Sequence, residues 1–177
     1  MLRLVQSNPA LLVITGAAAT GKSTIGDHLR QRPDLCVVDG DVLGRGAAAT
    51  AGGQRDYVRF WRYVVSLCGE IRTNGFTPVI PCICLPDQVL AAVGDEVVHF
   101  FGLVSEPATI RRRIAERRGV SAVPSPESHV QLDRTLRKVT VPQPHTWERH
   151  DVAVADLAET LVVASAWADR HTAGPRV

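Results

Sequence analysis

The sequence predicts an α/β fold, a five-stranded parallel sheet held between two layers of helices. Three observations carry that expectation. Short apolar runs alternate with longer amphipathic stretches, the pattern of successive βαβ units. The chain of 177 residues is long enough for one buried core and too short for two catalytic domains, so one domain spanning 1–177 is expected. The first apolar run, LLVIT at 11–15, leads through a glycine-bounded turn into a stretch with helical character.

The elements follow in order. Strands are expected near 11–15, 35–38, 77–83, 96–104 and 151–154, where apolar residues cluster. Helices are expected near 22–31, 54–74, 86–92, 107–118, 127–138 and 156–170. In the second of these, Tyr57, Trp61, Val64, Cys68 and Ile71 recur every three or four residues, a stripe wide enough to pack on a sheet, and Asn74-Gly75 ends it. Helix 107–118 opens with Pro107 behind Ser105 as a cap, and its body, TIRRRIAERR, is strongly basic. Two segments break the alternation: GRGAAATAGG at 44–53 and GVSAVPSPE at 119–127. Long irregular segments in a small domain are where substrate clamps and lids occur.

Composition narrows the function classes. The 20 basic and 18 acidic side chains nearly cancel, and no basic stripe with interleaved aromatics crosses the chain, so no nucleic-acid partner is expected. No run approaches the roughly 18 apolar residues of a membrane span, and the amino terminus lacks a secretory leader pattern, so no membrane partner and a cytoplasmic location are expected. Cys36, Cys68, Cys82 and Cys84 lack zinc-site spacing and read as free thiols. The only lysines are Lys22 and Lys138, the other basic residues being Arg; that bias reads as codon usage, and it isolates Lys22.

Lys22 lies in Gly16-Ala17-Ala18-Ala19-Thr20-Gly21-Lys22-Ser23, followed by Thr24, which matches G-x-x-x-x-G-K-[ST] between a strand and a helix. The spacing has a chemical reason. Gly16 and Gly21 permit a tight loop whose backbone N–H groups converge on phosphate oxygens at a helix N-terminus. Lys22 then reaches the β- and γ-phosphates, and the Ser23 hydroxyl holds Mg²⁺. ATP or GTP with Mg²⁺ is the expected cofactor pair.

The second strand runs into Asp39-Gly40-Asp41. If the segment stays extended, residues two apart share a face and both carboxylates point together beyond the carboxyl end of the sheet, where the phosphate loop also lies. Asp39 then supports the metal and Asp41 accepts the proton of an incoming hydroxyl. The competing reading is that one of them caps the next segment or closes an Asp-Gly turn.

With GAAATGKS at 16–23, DGD at 39–41 and RIAER at 113–117, the chain resembles the P-loop small-molecule kinases related to nucleoside monophosphate kinases, a group that includes shikimate kinase, gluconate kinase and chloramphenicol phosphotransferase. The resemblance implies a P-loop kinase fold with a lid at about 119–127. It implies Asp41 as the base, Asp39 near Mg²⁺, Arg113 on the nucleotide base, and Arg117 on its phosphates. One departure stands out: the strand at 77–83 carries no acid before Asp87, so Ser23 and Asp39 must supply most of the metal support, or Asp87 must reach in.

Acceptor recognition is expected over about 41–75. There Arg55, Arg59 and Arg62 share a helical face, with Tyr57, Phe60 and Trp61 as an aromatic wall, and Arg59 and Arg62 are the substrate-binding candidates; a solvated helix face is the competing reading. His145, Trp147 and His150 are candidates for the base site, or plain loop residues. The expected partner is a small hydroxylated molecule, such as a nucleoside-like or other antibiotic, and a homodimer stays open. A nucleoside monophosphate kinase and a nucleotide-dependent switch are the alternatives.

Overall fold

The apolar run in front of the glycine-bounded turn is the central strand of the sheet. A computed structural model describes residues 10–47, 56–117 and 125–172. Strand β1 (Leu11–Gly16) is buried along its length and pairs in parallel with β3 (Thr77–Pro81) and β4 (Val98–Val104). With β2 (Leu35–Val37) and β5 (Thr146–Asp151) outside them, the order is β2-β3-β1-β4-β5, every pairing parallel. The described residues form seven helices: α1 (Lys22–Leu29), α2 (Gly40–Ala47), α3 (Tyr57–Thr73), α4 (Pro86–Val93), α5 (Pro107–Glu116), α6 (Pro126–Leu136) and α7 (Leu157–His171).

The two-residue period of β1 splits the core into two layers. Leu11 and Val13 face Phe60, Trp61, Val64 and Cys68 of α3 and Val89 and Val93 of α4. Leu12 and Ile14 face Ile25 and Leu29 of α1 and Ala164, Trp167 and Ala168 of α7. A sheet covered on both faces is the three-layer arrangement expected from the alternating pattern. A third, smaller cluster joins Ala17 and Ala18 to Ile110, Ile114 and Val130, seating α5 and α6 on the glycine-bounded turn.

Three differences from the expected elements stand out. Strand β3 ends at Pro81 and β2 at Val37, so residues 39–41 are not extended; the chain enters α2 at Gly40. The last strand is the polar Thr146–Asp151 and not 151–154, which is largely a turn. As an edge strand it needs only backbone pairing with β4 and one apolar anchor, so its sequence shows no apolar run. That anchor is Trp147, packed 6.3 Å between centroids from Phe100. The third difference is the cap of α5, which is Glu106 and not Ser105.

Trp147 covers Gly102 so closely that a Cβ there would lie 2.2 Å from the indole ring. Gly102→Ala is therefore expected to destabilise the fold by about 1–3 kcal/mol or more, read as a lower urea midpoint with an unchanged slope.

Candidate functional site

The turn between β1 and α1 has the shape its composition allows. A Cβ on Gly16 would lie 2.7 Å from the Leu103 carbonyl of β4, so only glycine lets the loop leave the sheet there. Ala19 and Gly21 adopt left-handed φ values of 64° and 99°, and the Thr20 Oγ1 donates to the Ala17 carbonyl at 2.9 Å. Gly21 caps α1 without a side chain, and among the described residues the amides of Gly21, Lys22, Ser23 and Thr24 find no protein acceptor. Unpaired amides at the positive end of a helix dipole form an anion site.

Lys22 is buried, and its Nζ donates to the carbonyls of Gly16 and Ala17, both at 2.9 Å. Burial lowers its pKa, while Asp41 acts in the opposite direction. Ser23 and Thr24 are exposed at the start of α1. The loop is also tied to the end of β3: the Thr15 Oγ1 donates to the Cys84 carbonyl at 2.7 Å and accepts from the Cys84 amide at 3.3 Å.

The two aspartates do not share an extended face. Asp39 Oδ1 accepts the amides of Asp41 and Val42 at 2.9 and 3.2 Å, which caps α2. Asp41, in the first turn of that helix, accepts the Ile83 amide at 2.7 Å, which fastens its carboxylate to the segment after β3. Gly40 makes this turn possible, since a Cβ there would lie 2.8 Å from the Cys82 Cβ. The Cys82 thiol is held well above its ordinary pKa by hydrogen bonding with Cys84 and by burial, so it stays protonated and packs as a small apolar group.

From the other side, Arg113 Nη1 donates to the Ala19 carbonyl at 3.3 Å. Arg117 is the exposed C-cap of α5 and lies near enough to Lys22 to oppose its charge. Arg118 and residues 119–124 lie outside the described residues; Ser125 caps α6, so 126 and 127 begin a helix. The bidentate Arg111–Glu127 pair, 2.8 and 3.0 Å, joins α5 to α6.

The acceptor-side expectations are partly corrected. Arg59 and Arg62 are exposed on α3, while Arg55 and residues 48–53 lie outside the described residues. Phe60 and Trp61 form no wall: both are core residues in an edge-to-face pair 5.3 Å apart, and only Tyr57 is partly exposed. Asp87 does not reach in, its carboxylate being exposed and accepting the Gln88 amide. His145 Nδ1 accepts the Val98 amide and His150 bonds Thr160, so neither stands as a base-site group. Among the described residues no cluster of three His, Cys, Asp or Glu is arranged to hold a metal, and no helix is long and apolar enough to cross a membrane.

His129 joins the site with no expectation from the sequence. This α6 side chain is buried against the loop, its Nδ1 accepting the Ala18 amide at 3.2 Å. A lone histidine in an amphipathic helix gives no local signal; only the packing of α6 on the loop brings it in.

The comparisons agree with this geometry at the level of fold. No protein-family model and no curated protein sequence matches the chain. Solved structures do. A sugar kinase from Janibacter sp. HTCC2649 superposes with a TM-score of 0.69 at 17% identity, covering 90% of this chain and 94% of that one. The tunicamycin resistance protein of Deinococcus radiodurans gives 0.62 at 19%, covering 94% and 99%. A gluconokinase from Sinorhizobium meliloti 1021 gives 0.57 at 20%, covering 93% and 94%. The chain therefore has the fold of the P-loop small-molecule kinases.

Asp39 caps a helix, and that predicts a separation of effects. Asp39→Ala is expected to cost about 1 kcal/mol of stability, whereas Asp39→Asn, an equally good cap, leaves the denaturation midpoint nearly unchanged. Matched urea titrations of the two variants check this.

Proposed function

We propose that the chain transfers the γ-phosphoryl group of ATP or GTP to a hydroxyl of a small molecule, as a single catalytic domain working in the cytoplasm. One observation carries the reading: a carboxylate, Asp41, is fastened by the Ile83 amide beside a phosphate-type loop, close enough to Lys22 to influence its charge. A loop that only bound nucleotide would have no use for a fixed base at its edge.

The residues take these parts. Amides from Ala19 through Thr24 and the N-terminus of α1 receive the phosphates, with Gly16, Ala17 and Ala18 shaping the loop. Lys22 exchanges the Gly16 and Ala17 carbonyls for β- and γ-phosphate oxygens and, with Arg117, offsets charge on the transferring group. Arg113 steadies the loop at Ala19 and lies toward the nucleotide. The acceptor oxygen attacks the γ-phosphorus, its proton passes to Asp41, and the nucleoside diphosphate leaves.

Mg²⁺ fits the donor set. The exposed Ser23 hydroxyl and the Asp39 oxygen not used in capping α2 are hard oxygen ligands suited to it. When bound, Mg²⁺ neutralises charge on the phosphates.

Acceptor recognition falls to about 41–75, with Arg59 and Arg62 the exposed cations of α3, and the segment near 119–127 acts as the lid. A nucleoside-like or other antibiotic is the acceptor class we favour, in self-resistance. The fold shared with a protein named for tunicamycin resistance supports it. A nucleoside monophosphate kinase would need an acceptor-phosphate pocket as well.

A panel of nucleoside monophosphates against hydroxylated metabolites and antibiotics, read by mass spectrometry, separates the two: phosphorylation of monophosphates alone would overturn the hydroxyl reading. With the acceptor found, Asp41→Asn should lower turnover about 10²- to 10⁴-fold while nucleotide affinity is kept, since Asn still accepts the Ile83 amide. Full activity in that variant would remove Asp41 from the chemistry.

A further inference from the structure

His129 touches the phosphate loop, yet the transfer reading gives it no task. It is 3% exposed and sits on α6, which is itself well anchored. Asp133, one turn along, is buried and accepts the Ser105 amide at 2.8 Å and Arg137 Nε at 2.9 Å, while Val130 packs in the cluster that holds Ala17 and Ala18. The imidazole is thus held between the loop and the packed face of α6.

Its hydrogen bonding is half complete. Because Nδ1 accepts the Ala18 amide, the neutral ring carries its proton on Nε2. That Nε2 is buried and has no hydrogen-bond partner. Buried donors are rarely left so, and those that are call for a reason such as a ligand that completes them.

The surroundings indicate which ligand. Burial first, and then the Lys22 ammonium, hold the imidazole below its ordinary pKa, with Asp41 opposing them. The ring is therefore neutral, and it meets the loop at Ala18 while Lys22 meets it at Gly16 and Ala17, so the two side chains touch adjacent loop residues. Lys22 is the side chain suited to the β- and γ-phosphates, and Asp41 the one suited to the incoming hydroxyl. What lies between those two is the transferred phosphoryl group.

We propose that His129 reads the γ-phosphate: Nδ1 holds the third residue of the loop, and Nε2–H donates to a γ-phosphoryl oxygen of the bound triphosphate. The inference rests on the nucleotide reading given above. A diphosphate leaves this donor unpaired, so His129 favours triphosphate over diphosphate and helps product leave.

Calorimetric titration of MgATP against MgADP, repeated with MgGTP against MgGDP, tests this on wild type, His129→Leu, His129→Gln and His129→Asn. Gln places an amide N–H near the Nε2 position, and Asn places an oxygen near the Nδ1 position. The Leu variant should lose about tenfold in its preference for triphosphate over diphosphate. Gln should recover most of that preference and Asn should not. A preference unchanged in the Leu and Gln variants, or recovered by Asn in place of Gln, overturns the inference. Thermal melts without nucleotide report folding, and if Leu does not fold, the Gln–Asn comparison decides alone. Wild-type protein that binds neither pair of nucleotides would instead overturn the nucleotide reading, and this inference with it.

Discussion

The rest of the site depends on one buried positive charge. An ammonium withdrawn from water is costly unless oxygen atoms surround it. Lys22 is withdrawn, and the Gly16 and Ala17 carbonyls and the nearby Asp41 carboxylate supply that surrounding. The carbonyls can converge only because Gly16 clears the Leu103 carbonyl and Ala19 and Gly21 take left-handed conformations. Asp41 can approach only because Gly40 passes tightly against Cys82. Gly16, Ala19, Gly21 and Gly40 thus serve the solvation of the same charge.

That requirement also explains why the site is built from several elements. Carbonyls from a strand end, a carboxylate from α2 and amides from α1 come from separate parts of the chain and must be held in register. The Thr15–Cys84 bonds join β1 to the segment after β3, and the Asp41–Ile83 bond joins α2 to the same segment. On the opposite side, Arg113 and His129 meet the loop at consecutive residues, Ala19 and Ala18. The loop is braced from both flanks, which fixes its geometry in advance of any ligand.

Legibility followed the range of the forces. Local chemistry set the loop, α1 and the two-layer core, because glycine requirements and apolar periodicity are written in adjacent residues. It misled at 39–41, where the apolar run suggested a longer strand. The structure turns to helix there because Asp39 caps the amides of Asp41 and Val42 and Leu43 packs against the core on the α3 side, which offsets the cost of the glycines in α2. It misled again at β5, where backbone pairing with β4 and Trp147 over Gly102 replace an apolar run. The aromatic wall failed for a related reason: Phe60 and Trp61 lie on the stripe that α3 buries, and burial wins over display for large rings.

By itself, then, the sequence determined the fold class, the phosphate-type loop with Lys22, and the two acids that follow the second strand. These are matters of short-range pattern, in which each residue's neighbours in the chain are also its partners. The tertiary structure alone decided that Asp39 caps while Asp41 faces the site, that Arg113 meets the loop at Ala19, and that His129 lies buried against Ala18. The cap is local, two and three residues along, but the contacts of Asp41, Arg113 and His129 join residues from 42 to 111 positions apart, and no local signal encodes them. They exist because the third packing cluster draws α5 and α6 onto the loop, and because buried polar groups must find partners wherever the fold supplies them.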